Sequence, residues 1–120
     1  YICAQDPDFN SSLEILKKLP EAGVDIIELG IAFQDPAGDG PIIESASKRA
    51  IANSANLKKT LLMTREFRKV DNNTPIILMG YFNSFLKYGI NNTLHTIFMF
   101  FYSINSFSNL LSFCTTKNWS

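Results

Sequence analysis

Acidic residues stop at Asp71: all eleven lie at or before that position, and from Leu94 to Ser120 one lysine stands among seven aromatics and many Ser and Asn. The averages therefore hide two unlike halves. Cysteine is scarce, and Cys3 and Cys114 are too far apart to suggest a metal site or a disulfide framework. Free thiols in a reducing cytoplasm is the expectation. The sole histidine, His95, lies in the acid-free half and is assigned no role, so neither a Ser-His-acid nor a Cys-His nucleophile is arguable. Eleven basic residues balance the eleven acids, and no basic stripe argues for nucleic acid. No GxGxxG or P-loop is present, which leaves no nucleotide fingerprint. Residues 1–25 lack a basic start followed by an apolar block, so no secretory signal is expected.

What is present alternates between buried-strand runs and amphipathic runs. Tyr1 to Ala4 reads as the end of a first strand, closed by the turn cluster Gln5-Asp6-Pro7-Asp8. Ser11 and Glu14 fit a capping box, and Phe9, Leu13, Leu16 and Leu19 recur at helical spacing. Gly23 supplies the stop, and Val24 to Leu29 is a second strand, mostly apolar on both faces as a covered parallel sheet requires. Pro41 suits the first position of a helix running to Ala52, with Ile42, Ile43, Ala46, Ala50 and Ile51 expected inward. Asn53 to Asn56 breaks it. A further helix is expected over Leu57–Lys69, with Met63, Phe67 and Val70 on one side and Lys58, Arg65 and Lys69 solvated. Asp71 to Pro75 is a turn, and Ile76 to Met79 a third strand ended by Gly80. Tyr81 to Asn92 then begins the next loop and helix. This order predicts a parallel α/β sheet.

Residues 28–41 hold the chemistry-bearing side chains. Glu28 leaves the second strand and Asp39 approaches the following helix, at opposite ends of a Gly- and Pro-rich loop. A (β/α) barrel builds acid–base sites in this way. Glu28 also has a plain structural reading, as a strand-end acid hydrated or paired with Lys48 or Arg49. Asp39 taken alone reads as a helix cap. Asp35 before Pro36 is a turn former. Tyr81 and Asn83 follow the third strand, at the end where a barrel opens its active site, and Tyr81 there either stacks on a flat ligand or packs beneath the next helix.

Over residues 1 to about 92 the chain resembles the tryptophan synthase alpha chain family. The resemblance rests on Cys3-Ala4-Gln5-Asp6-Pro7, the loop at 28–41, the helix Ile42–Ala52, and Leu78-Met79-Gly80-Tyr81-Phe82-Asn83 with Tyr88-Gly89-Ile90. It implies a (β/α)8 TIM barrel that cleaves indole-3-glycerol phosphate to indole and glyceraldehyde 3-phosphate without a cofactor of its own. Indole then passes to a pyridoxal-phosphate beta subunit. By resemblance Glu28 is the acid–base, Asp39 stabilises charge at the indole N–H, and Tyr81 lines the indole pocket. Asp35 and Asn83 belong to the beta-subunit interface. The family usually has glycine at Gln5, proline at Ala32, and serine or threonine at Gln34.

The length, 120 residues, is about half of the roughly 250 that a full barrel needs. The fold expected is therefore α/β, a partial (β/α)8 barrel of about three strands with their helices over residues 1–93. It is followed by an unrelated apolar tail, 94–120, out of frame or disordered. Starting at Tyr1 inside a strand-like run, the chain reads as a fragment at that end too. A second reading is a non-catalytic remnant that binds a beta subunit. A third is a small membrane-attached protein using residues 94–113, although His95, Asn105 and Asn109 interrupt that span.

Overall fold

A computed structural model describes residues 1–35, 38–95 and 113–116. Its elements are β1 (Ile2–Cys3), α1 (Phe9–Lys18), β2 (Ile27–Gly30), α2 (Pro41–Ala52), α3 (Leu57–Arg68), β3 (Ile76–Tyr81), α4 (Phe82–Tyr88) and β4 (Phe113–Thr116). The strands form one parallel sheet in the order β1-β2-β3-β4. The expected α/β architecture, the first part of a TIM barrel, is what the chain forms. β4 pairs Leu78 with Phe113 and Tyr81 with Thr116. The remainder of the tail, 96–112 and 117–120, lies outside the described residues, as does most of the membrane span considered above. Among the described residues no helix is long and apolar enough to cross a membrane.

Alternation along β2 and β3 decides which side chains are buried. Ile27, Leu29, Ile76 and Leu78 are at most 2% exposed and join Leu13 and Leu16 of α1 and Leu61, Met63 and Phe67 of α3 in one core. The residues between them, Glu28 of β2 and Ile77, Met79 and Tyr81 of β3, are only partly buried. They occupy the opposite face, because successive strand residues point to opposite sides. A second, smaller cluster joins Cys3, Ala32, Ala46, Ala50 and Ala55 and seats α2 against β1.

Several local expectations are corrected. The N-cap of α1 is Asp8, whose carboxylate accepts from the Ser11 N–H at 3.0 Å and from the Ser11 hydroxyl at 2.7 Å. Asp8 stands three residues before Ser11, so the same spacing rule holds one turn earlier, and Glu14 instead pairs with Lys17. β2 starts at Ile27, three residues later than expected, and Ile26 is 58% exposed. β3 runs through Gly80 to Tyr81. A side chain at Gly80 would press on Ile31 at 3.0 Å, so glycine there permits close approach of the β2 end and does not end the strand. On α2, Ile42 is 84% exposed, because Ala46, Ser47 and Ala50 form the stripe that meets β1. Val70 lies past the end of α3 and is 63% exposed.

Two loops are fixed by polar side chains. Gln5 has a positive φ of 67°, a region that favours glycine. Its buried amide donates to the Asn56 carbonyl at 3.1 Å and to the Thr60 hydroxyl at 2.8 Å, and its N–H donates to the Ser12 hydroxyl at 3.0 Å. These bonds compensate for the strain and tie the β1–α1 loop to the start of α3. Before β3, the Asp71 carboxylate accepts from the N–H groups of Asn73 and Thr74 and from the Thr74 hydroxyl. Arg68, 5% exposed, donates to the carbonyls of Asp71 and Thr74.

Phe67 fills the centre of the main core at 0% exposure. Its replacement by alanine is expected to cost about 3–5 kcal/mol, read as a collapse of the urea midpoint. Val70→Ala, on the exposed side, should leave that midpoint nearly unchanged.

Candidate active site

The candidate residues gather at the end of the sheet where β2 and β3 deliver the chain into their following loops. Glu28 sits opposite Ile77 in the β2–β3 register. Neither cation proposed to neutralise it does so. Lys48 pairs with Glu44, and Arg49 makes a two-pronged bridge to Asp6, Nε to Oδ1 and Nη2 to Oδ2, each 2.8 Å. Among the described residues the Glu28 carboxylate makes no ion pair.

Asp39 does not cap a helix either. The N-cap of α2 is Gly40, and no side chain bonds the helix start. Asp39 is partly buried beside the hydroxyl of Tyr81, the last residue of β3. Burial pushes the Asp39 carboxyl above the usual aspartate range, while the hydrogen bond from Tyr81 pulls it back. The same Tyr81 oxygen accepts the Gly38 N–H at 2.9 Å. Tyr81 therefore holds the outgoing loop through the Gly38 N–H. Its ring stacks on Phe33, with centroids 4.9 Å apart and planes 23° from parallel.

Two contributors were not singled out from the sequence. One is Phe33, which braces Tyr81 from within the loop. The other is Tyr1, whose phenol lies across Gly30, where any side chain would collide with it. Burial raises the Tyr1 phenol well above its ordinary range, and Cys3, Asp39, Glu28 and Tyr81 each push it further. The alternation of Tyr1 with Cys3 in the first strand was the available signal, since the odd positions share a face. A cavity of about 480 Å³ opens beside Glu28, bordered by Tyr1, Ile26, Ile42 and the Asp6–Arg49 pair. Asp39 and Tyr81 are not in its wall.

Asp35 and Asn83 are exposed, one on the loop after β2 and the other on α4. Among the described residues no group of three or more His, Cys, Asp or Glu is placed to hold a metal ion. Cys3 is buried, with its sulfur 3.9 Å from the Ser47 hydroxyl, and desolvation raises its pKa.

The family model described as tryptophan synthase alpha chain matches residues 1–101. The chain belongs to the tryptophan synthase alpha chain family. Its backbone superposes on tryptophan synthase subunit alpha from Legionella pneumophila with a TM-score of 0.80 and 40% identity, covering 83% of this chain and 38% of that one. The alpha-subunit of Pyrococcus furiosus gives a TM-score of 0.77 at 38% identity, over 83% of this chain and 40% of that one. For tryptophan synthase from Mycobacterium tuberculosis the score is 0.76 at 28% identity, covering 83% and 39%. This alpha-family chain therefore spans about two-fifths of the length of the structures it matches.

Removing the Tyr81 hydroxyl removes the group that lowers the Asp39 pKa. Tyr81→Phe should therefore move the Asp39 titration further upward, read from its side-chain carboxyl carbon by NMR. The sign for stability follows. An aspartate that holds its proton more tightly when folded makes stability fall as pH rises from the unfolded-state pKa through the raised one. Asp39→Asn should remove that component, seen as a difference in urea midpoint that appears only above the acid end of the titration.

Proposed function

We propose that this chain carries the acid–base part of an alpha-type lyase site, which cleaves indole-3-glycerol phosphate to indole and glyceraldehyde 3-phosphate in tryptophan biosynthesis. The observation that carries the reading is that Lys48 and Arg49 pair with other acids and leave Glu28 unneutralised, while Asp39 does not cap α2, whose N-cap is Gly40. In this retro-aldol reaction Glu28 takes the proton of the substrate hydroxyl and protonates the indole carbon as the carbon–carbon bond breaks. Asp39 stabilises positive charge at the indole N–H while the ring tautomerises. Tyr81 lines the indole pocket and orients Asp39. No cofactor is required for these steps. Family membership supports a cytoplasmic setting and a beta subunit as partner, with Asp35 and Asn83, both solvent-facing, at the contact.

The chain alone is proposed to be inactive. A barrel holds the substrate phosphate with loops that follow its seventh and eighth strands, and this chain has four strands among its described residues. Its face bearing Glu28 and Ile26 is also left without the far wall of a closed barrel. Retention of beta-subunit binding without catalysis is the reading to separate from full function.

Grafting residues 1–92 in place of the matching segment of a complete alpha chain should yield a protein that releases indole. Within the graft, Glu28→Gln and Asp39→Asn should each lower kcat by about 10²–10⁴-fold, the range expected for removing a general acid–base or a charge-stabilising group. A folded but inactive graft, or a Glu28→Gln graft with unchanged kcat, defeats the assignment. Indole release by the unassisted 120-residue chain defeats the claim of inactivity. Co-purification of the chain with a beta subunit, lost in Asp35→Lys with Asn83→Lys, tests the interface.

A further inference from the structure

We propose that Arg49 is a positioning residue: its two-pronged bridge to Asp6 fixes α2, and through α2 the carboxylate of Asp39. Asp39 stands just ahead of Gly40 and Pro41, the N-cap and first residue of the helix. Wherever α2 settles, the acid follows. The placement rests on the bonds below, and its catalytic consequence rests on the lyase reading.

The apolar contact beneath α2 does not fix its position by itself. Ala46, Ser47 and Ala50 meet Cys3, and burial of such small side chains is non-directional. The helix start is not locked locally, since no side chain bonds there. Directional bonds come from its other half. Nε and Nη2 of Arg49 donate to the two carboxylate oxygens of Asp6, each at 2.8 Å. Nη1 donates to the Ser45 hydroxyl at 3.0 Å, which steadies the guanidinium against its own helix. At the C-cap, the Asn53 amide donates to the Pro7 carbonyl at 2.6 Å. Both anchors therefore end on Asp6-Pro7, directly after Gln5, whose amide is held by Asn56 and Thr60. Paired fork-to-carboxylate bonds fix an angle as well as a distance. An ion pair with its arginine 54% exposed contributes little to stability, so geometry is what this one supplies. Asp6 and Arg49 also border the cavity beside Glu28, which puts the bridge at the same opening as the candidate acid–base.

The test follows the Asp39 side-chain carboxyl by NMR through a pH titration of the full chain. Burial is the larger of the two influences on that carboxyl, so freeing the loop should lower its titration toward the ordinary aspartate range. Arg49→Gln, Asp6→Asn and the two combined should give the same downward displacement, because each breaks one bridge. Arg49→Lys, which keeps the charge and loses the fork, should give a smaller displacement of the same sign. Lys48→Gln, which breaks the neighbouring Lys48–Glu44 pair on the same helix, should give none. In the graft of residues 1–92, Arg49→Gln should lower kcat about 10-fold, the consequence of a misplaced catalytic group. An unmoved Asp39 titration in Arg49→Gln overturns the proposal, even where the urea midpoint falls, because the bridge is then structural only. Equal displacement by Lys48→Gln overturns it too, as does loss of far-UV helix content in Arg49→Gln. Unchanged kcat in the Arg49→Gln graft, where Asp39→Asn does lower it, overturns the catalytic consequence. A graft insensitive to Asp39→Asn defeats the lyase reading instead, and the titration then decides the placement alone.

Discussion

The pairing of Ile27–Gly30 with Ile76–Met79 is the constraint on which the rest depends. Side chains alternate along a strand, so a slip of one residue would turn Ile27 and Leu29 out and drive Glu28 into the core beneath α1 and α3. The cost of burying an unpaired carboxylate opposes that slip. Hydrophobic burial and the placement of the candidate acid are thus two consequences of one register. The same register brings Tyr81 to the strand end, where its hydroxyl meets Gly38 and Asp39.

Elements with strong local punctuation were legible from residues alone. Pro41 and the Asn53–Asn56 break give the bounds of α2. Asn56 accepts from the Lys59 N–H and starts α3. Where two local signals competed, tertiary contacts decided. Asp8 and Ser11 both satisfy a capping rule, and the carboxylate holds the helix start because it accepts from two Ser11 donors at once. Ile42 follows helical periodicity as well as Ile43 does, but α2 has only a narrow contact with β1, made by small residues. β4 carried no recognisable pattern, and what defines it among the described residues is backbone pairing with β3.

The candidate site was legible in its identities and not in its connections. Two acids on a loop between strand and helix stand out in the sequence, but their plain structural explanations could be set aside only by finding where Lys48, Arg49 and the start of α2 direct their bonds. The braces Phe33 and Tyr1 escaped because an aromatic beside a strand reads first as packing. Gln5 shows the converse. Its left-handed backbone is offset because its amide finds two acceptors, the Asn56 carbonyl and the buried Thr60 hydroxyl, on the segment beginning α3.

The phenol lying over Gly30 makes positions 1 and 30 a coupled pair. Varied singly, a side chain at position 30 would have to displace the Tyr1 ring, which is half-exposed. Varied together with a small residue at position 1, it should accept alanine or serine. The freedom to alter the floor beside Glu28 is therefore set at the opposite end of the β1–β2 ladder, and mutational tolerance there is a property of two positions read jointly.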